Sequence, residues 1–135
     1  MDLFISTSPF GVSDPTILEP LKQSRFSWSS NNSGRKLKPE ELLEAAKNCK
    51  ALVAGTENLM PLIEINPHLK MIARVGIGLD GVPLHECRKR GSRVSWTPDA
   101  VTKAGAELTV GMMIYTTRFI GQLDRDIRNR VWNRP

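Results

Sequence analysis

The 135-residue sequence is poor in cysteine, histidine and aromatic residues: two Cys, two His, one Tyr and an aromatic fraction of 6%. Two cysteines, Cys49 and Cys87, cannot build a disulfide framework. Each falls in an apparent helix or at a helix end and reads as a small buried or half-buried residue in a reduced setting. The histidines, His68 and His85, stand apart from one another and from any acid cluster, so no metal site is expected. No stretch approaches the roughly 20 apolar residues of a membrane-crossing helix. The opening Met1-Asp2-Leu3-Phe4-Ile5-Ser6 carries an acid and too short an apolar run for a signal peptide, so the expected location is cytoplasmic. A nucleic-acid binder would concentrate its positive charge on one face, with aromatics interleaved for stacking.

What is present is an ordinary globular composition, 40% hydrophobic and 24% charged, with a formal charge of +5. The basic residues are scattered: Arg35, Lys36 and Lys38 in one loop, Arg88 to Arg93 near a helix end, and Arg118 to Arg134 along the tail. Such a distribution suits helix C-termini and solvated faces, and argues against a nucleic-acid partner. It is equally the field that draws in a small anion.

Short apolar runs alternate with helical segments from end to end. Strands are expected at Leu3–Ser6, Arg25–Trp28, Ala51–Ala54, Met71–Val75 and Arg93–Trp96. Between them, Asp14-Pro15 marks a first helix start carrying Leu18 and Leu21. Pro39 opens a helix with a Leu42, Leu43, Ala46, Cys49 stripe, a short helix surrounds Pro61 to Ile65, and Pro83 opens one that Gly91 closes. Ser29 to Gly34 reads as a polar turn, and a long helix is expected from Lys103 past Phe119. Strands this apolar are expected to be covered on both sides. The fold class is therefore α/β: a flavodoxin-like, doubly wound, five-stranded parallel sheet with helices on both faces, plus a long C-terminal hinge helix. The functional crevice of such a sheet lies at the carboxyl ends of its strands. The expected division is residues 1–101 as this domain and 102–135 as hinge helix and tail. From Ile120 onward the tail reads as a segment shaped to pack against a further part of the protein.

Gly76-Ile77-Gly78-Leu79-Asp80-Gly81 matches the dinucleotide fingerprint G-x-G-x-x-G letter for letter. Its context does not. Pro83 sets the helix start after the third glycine, the acid Asp99 follows Pro98 in a loop, and this is the fourth strand of the chain. Two readings remain for the glycines. One is a tight turn with no ligand; the other is a cradle where backbone N–H groups meet a small carboxylate without a Cβ in the way.

The segment from Met71 to Val82 resembles the R-x-G-x-G-x-D-N-V motif of the D-isomer-specific 2-hydroxyacid dehydrogenases, the phosphoglycerate-dehydrogenase-like proteins among them. Lys89-Arg90-Gly91, Val94 to Pro98, Ala106-Glu107-Leu108-Thr109 and Trp132-Asn133-Arg134 follow in family order, and Pro9-Phe10-Gly11, Gly34 to Leu37 and Ala54 to Glu57 precede it. The resemblance implies the N-terminal substrate-binding domain of an NAD-dependent (or NADP-dependent) oxidoreductase acting on a small 2-hydroxy or 2-oxo acid, homodimeric when joined to its cofactor domain. It implies substrate contacts at Gly55, Thr56, Arg74, Val75, Gly76 and Ile77, with Ile77 also near the nicotinamide. The family's catalytic arginine and its histidine–glutamate pair belong to the other domain, so no catalytic residue is assigned here; His68 and His85 read as surface residues. Two departures stand out. Gly81 and Pro83 replace the family's Asn and Asp, and Gly55 stands where phosphoglycerate-specific members often carry an arginine; Arg35 or Lys36 could supply charge in its place. A corepressor-like interaction module is the alternative the same resemblance leaves open. A phosphoacceptor domain on this fold would need acids where Gly55-Thr56 and Ser6-Thr7 stand.

Overall fold

Four of the five expected runs form strands, the remaining strand begins only at the last residue of its run, and every pairing is parallel. The computed structural model describes residues 1–132. Strands β1 (Leu3–Ile5), β2 (Trp28–Ser30), β3 (Ala51–Ala54), β4 (Met71–Arg74) and β5 (Arg93–Trp96) make one sheet in the order β2-β1-β3-β4-β5. Phe4, Leu52, Ile72 and Val94 lie side by side across β1, β3, β4 and β5, a row that the period-2 pleat turns to one face. That face is sealed by α2 (Pro39–Ala46), α3 (Met60–Ile65) and α4 (Leu84–Lys89), which contribute Leu42, Ala46, Leu62, Ile63 and Cys87 to the core. Leu52, Leu62 and Ile72 are fully buried, each contributing roughly 2 kcal/mol relative to exposure.

The connection from β1 to β2 steps the opposite way along the sheet from the later ones. With right-handed crossovers this places its helix on the other face, the doubly wound arrangement. That connection is a 3-10 turn, Pro15–Leu18, running into α1 (Glu19–Lys22), with Asp14 Oδ1 accepting from the Thr16 N–H at 3.0 Å. Asn66, a residue that sequence patterning marks only as a helix stop, is buried. Its Nδ2 donates to the carbonyls of Ala46 and Cys49, both at 2.9 Å, which fastens the end of α2.

Three expectations change. The second strand is Trp28–Ser30, so Ser29 and Ser30 belong to the sheet and not to a turn. As an edge strand, β2 pairs with β1 alone and is specified by backbone hydrogen bonding more than by apolar side chains. The strands are not all covered: Arg93, Ser95 and Trp96 of β5, the opposite edge, are exposed. The long helix is two helices, α5 (Thr102–Thr117) and α6 (Ile120–Arg128), broken where Phe119 adopts a left-handed φ of 53°. Before the break, the Thr116 and Thr117 hydroxyls bond back to the Met112 and Met113 carbonyls at 2.8 Å. After it, Gly121 lies so close to the Tyr115 hydroxyl that any Cβ would collide with it.

The chain divides into two compact units, Met1–Pro98 and Asp99–Pro135. The first holds the sheet and its core; α5 and α6, in the second, bury no residue. Among the described residues no helix is long and apolar enough to cross a membrane, and no cluster of His, Cys, Asp and Glu could hold a metal. Asn133 and Arg134 of the tail motif lie outside the described residues.

Candidate functional site

In the order β2-β1-β3-β4-β5 the chain reverses direction between β1 and β3, so a crevice opens at the carboxyl ends of these strands. A cleft of about 210 Å³ occupies this place. Thr7 and Ser8 after β1, Gly55, Thr56 and Glu57 after β3, Arg74 and Val75 at the end of β4, and Lys36 from the loop before α2 line it. Of the residues expected at the site, Gly55, Thr56, Arg74 and Val75 are in the lining. Gly76 and Ile77 continue the same turn, with Ile77 44% exposed. The lining residues that sequence reasoning misses are Thr7, Ser8 and Glu57; Lys36 enters it only as a source of charge.

Local hydrogen bonds set this geometry. The Asn31 N–H donates to the Ile5 carbonyl at 2.8 Å, and Asn31 Nδ2 donates to the carbonyls of Ser6 (3.1 Å) and Arg35 (2.7 Å). Asn31 thereby pins the loop ahead of α2 to the end of β1 and brings Lys36 over the crevice. Lys36 Nζ then donates to the Thr56 carbonyl at 3.0 Å and to Thr56 Oγ1 at 3.1 Å. Arg35 turns away and pairs with both carboxylate oxygens of Glu41, at 2.8 and 2.7 Å. This pair, with the Lys38 N–H donating to Glu41 at 2.8 Å, holds the Glu41 carboxyl down at about 2 and raises Arg35 above its ordinary value. Of the two loop cations weighed from sequence, Lys36 lines the cleft and Arg35 serves the start of α2.

The turn after β4 is largely self-satisfied. The Val75 N–H donates to the Ala54 carbonyl at 2.9 Å, and the Gly76 N–H to Thr97 Oγ1 at 2.8 Å. The Ile77 N–H has no hydrogen-bond partner among the described residues. Gly76 has φ 136°, a region that disfavours any side chain, and a Cβ there would sit 2.5 Å from Arg74 Nη1. The guanidinium thus lies across the glycine, held by donation to the Val75 carbonyl. The helix α4 starts at Leu84, beyond Gly81, so the glycine run opens no helix and lacks the geometry of a dinucleotide fingerprint.

The loop after β3 is tied to this turn by its backbone. The Leu59 N–H donates to the Gly81 carbonyl at 2.9 Å, and a Cβ at Gly81 would collide with the Glu57 carbonyl oxygen. This close approach accounts for glycine where the related motif has asparagine. Glu57 itself is 5% exposed, and its Oε2 is buried without a hydrogen-bond partner. Its burial is invisible in the sequence, where an acid following a strand reads as a surface residue.

The remaining candidates lie elsewhere. His68 and His85 are exposed. Cys49 and Cys87 are free and buried, and burial lifts the thiol of Cys49 to about 11 and that of Cys87 in the same direction. Neither is a thiolate at neutral pH.

The chain is thus an open parallel α/β sheet with a small polar cleft at its switch point, lined by two cations, an acid and the start of the turn after β4. Residues 6–131 match the family model of the D-isomer specific 2-hydroxyacid dehydrogenase catalytic domain, and the chain belongs to that family. It is 35% identical over 98 residues to a glyoxylate reductase of Thermofilum pendens, covering 71% of this chain and 29% of that protein. A crystal structure of a protein from Thermus thermophilus superposes with a TM-score of 0.83 at 24% identity, over 100% of this chain and 42% of that one. The NAD+-bound 3-phosphoglycerate dehydrogenase of Entamoeba histolytica gives a TM-score of 0.73 at 25% identity, over 85% of this chain and 38% of that one. The chain therefore spans well under half the length of the proteins it resembles.

Proposed function

We propose that this chain is the substrate-binding lobe of a nicotinamide-dependent oxidoreductase that interconverts a D-2-hydroxy acid and its 2-oxo acid. The observation that carries the reading is the switch-point cleft, where Lys36, Arg74 and Val75, the start of the turn to Gly76 and Ile77, share the lining in a chain of this family. The substrate carboxylate is received by the open Ile77 N–H and by the Gly76 N–H, which becomes available once the Thr97 hydroxyl rotates away. The Val75 N–H stays in the β-ladder and contributes by fixing the turn. Arg74, resting on the Val75 carbonyl, supplies positive charge beside the carboxylate without a salt bridge that would have to break first. Gly55 and Thr56 wall the opposite side. Ile77, exposed on the turn, offers an apolar surface to the nicotinamide face.

The cofactor, NAD or NADP, supplies hydride chemistry at the substrate's C2 and is bound chiefly by a further domain. The proton relay also lies outside this chain: neither histidine reaches the cleft. In this reading the unit Asp99–Pro135 carries the polypeptide toward the nicotinamide domain, through which the complete enzyme pairs as a homodimer. The test is to assay the complete gene product for NADH- and NADPH-dependent reduction of glyoxylate, hydroxypyruvate and pyruvate. Turnover of at least one is expected from the complete protein and none from residues 1–135. A complete protein that reduces no 2-oxo acid and instead captures peptides would replace this reading with that of an interaction module.

A further inference from the structure

The three consecutive N–H groups of the turn after β4 differ in how replaceable their partners are. The Val75 N–H donates to the Ala54 carbonyl, main chain that leaves only if a strand moves, and the Ile77 N–H has no partner among the described residues. Between them, the Gly76 N–H donates at 2.8 Å to a side-chain atom, Thr97 Oγ1. A hydroxyl leaves by rotation about one side-chain bond. Thr97 is exposed, and its own O–H has no acceptor among the described residues, so no second bond locks that rotamer. Its main chain is held separately, by the Thr97 N–H donating to the Gly76 carbonyl at 3.2 Å. Thr97 also stands at the end of the first compact unit: Pro98 closes that unit and Asp99 begins the second. Proline at 98 keeps Thr97 extended, so the pair transmits a change at this tie rather than absorbing it. Two bonds, one of them releasable, thus fasten the end of the first unit to the turn.

We propose that Thr97 is an internal stand-in for a substrate carboxylate oxygen: its hydroxyl fills the Gly76 N–H in the free lobe, and an arriving acid displaces it and loosens the chain entering the second unit. The carboxylate wins the exchange because a hydrogen bond to an ionised acceptor is shorter and about twice as strong as a neutral one. No donor is left bare in either state, since the hydroxyl satisfies Gly76 without ligand and the carboxylate does so with it. The freed hydroxyl turns to water, which its exposure allows. Two acceptors compete for one N–H, so whatever holds Thr97 against Gly76 weakens acid binding by the same factor. Occupancy of the turn is thereby reported at the point where the chain runs on into the second unit. The proposal rests on the substrate-lobe reading above and adds a regulatory coupling to that same site.

The experiment titrates D-lactate into the isotope-labelled 135-residue chain as wild type, Thr97→Ala and Thr97→Ser, following backbone amides by NMR. Thr97 is exposed, so neither substitution disturbs the core. Thr97→Ala is expected to bind the acid about fivefold more tightly than wild type, the factor for removing one competing neutral hydrogen bond. Thr97→Ser keeps the hydroxyl and should match wild type. Backbone order parameters at Asp99, Ala100 and Val101 should fall in wild type on saturation with acid. They should already stand at that lower level in ligand-free Thr97→Ala. A purely structural threonine would lower stability when replaced and would not raise affinity. Equal or weaker binding by Thr97→Ala, with shifts still at Ile77, would overturn the stand-in and leave the substrate lobe standing. Tighter binding with unchanged order at Asp99 to Val101 would overturn the coupling likewise. Absence of acid-induced shifts at the β4 turn in all three chains would bring down both.

Discussion

The two loops that face each other across the cleft solve the same problem in opposite ways. The turn after β4 hides its polarity: Val75 and Gly76 donate to Ala54 and Thr97, and Arg74 folds back onto its neighbour's carbonyl. The loop after β3 leaves its polarity unspent, with a buried Glu57 oxygen that nothing satisfies. A self-satisfied turn is a stable platform that needs only a small rearrangement to receive a carboxylate. An unsatisfied loop carries a standing cost. The two segments are joined where the Leu59 N–H donates to the Gly81 carbonyl and where Gly81 packs against the Glu57 backbone.

Breaking that joint should have the largest effect. Gly81→Ala forces a methyl against the Glu57 carbonyl, backbone that cannot swing aside, and should cost about 3 kcal/mol in urea unfolding. A loss near zero would mean the two loops are not mechanically coupled. Gly76→Ala comes next, at about 2 kcal/mol, because φ 136° is strained for any side chain. Arg74, at the far end of a flexible side chain, can move, so adding Arg74→Ala should recover little of that loss. Glu57→Leu should go the other way and stabilise by about 1 kcal/mol, since it removes a buried side-chain oxygen that has no hydrogen-bond partner. A destabilised Glu57→Leu would show that the carboxylate has a structural partner.

The smallest effect sharpens the contrast between Glu57 and the paired Glu41. Glu41's folded value of about 2 lies below its ordinary value of 4.5, so its contribution is fully present above pH 4.5 and is lost as pH falls toward 2. Glu41→Gln should flatten the acid limb of a stability-versus-pH curve in that window and leave its slope unchanged in the neutral range. Asp2, lowered chiefly by its Lys50 hydrogen bond and then by Ser27, acts in the same direction at still lower pH. An acid limb that is the same in wild type and Glu41→Gln would contradict the assignment.

Much of this fold can be read from pattern alone because parallel strands buried on a covered face need continuous apolar runs, and Ala51–Ala54 and Met71–Arg74 provide them. The edge strand β2 evades that logic: Trp28-Ser29-Ser30 is held by backbone pairing, which leaves no hydrophobic signature. The break at Phe119 evades it too, since nothing in a helical period marks a left-handed residue that is not glycine. At the site, the glycine turn is legible because only glycine tolerates Gly76's conformation, and the helix start that Pro83 marks after the third glycine is found at Leu84. Thr7, Asn31 and Glu57 are not legible. Their roles arise from loops brought together across the switch point, and a threonine, an asparagine and an acid after a strand or in a turn look like surface residues in any sequence.

The central claim is that the ends of β1, β3 and β4 together form a half-site for a 2-oxo acid. It is tested most directly by titrating glyoxylate, a small 2-oxo acid, into the labelled 135-residue chain. The account predicts saturable shifts at the amides of Gly55, Gly76 and Ile77, with Thr97 responding as its hydroxyl releases Gly76, and none at His68 or His85. Saturable shifts elsewhere, or none at the turn after β4, would contradict it.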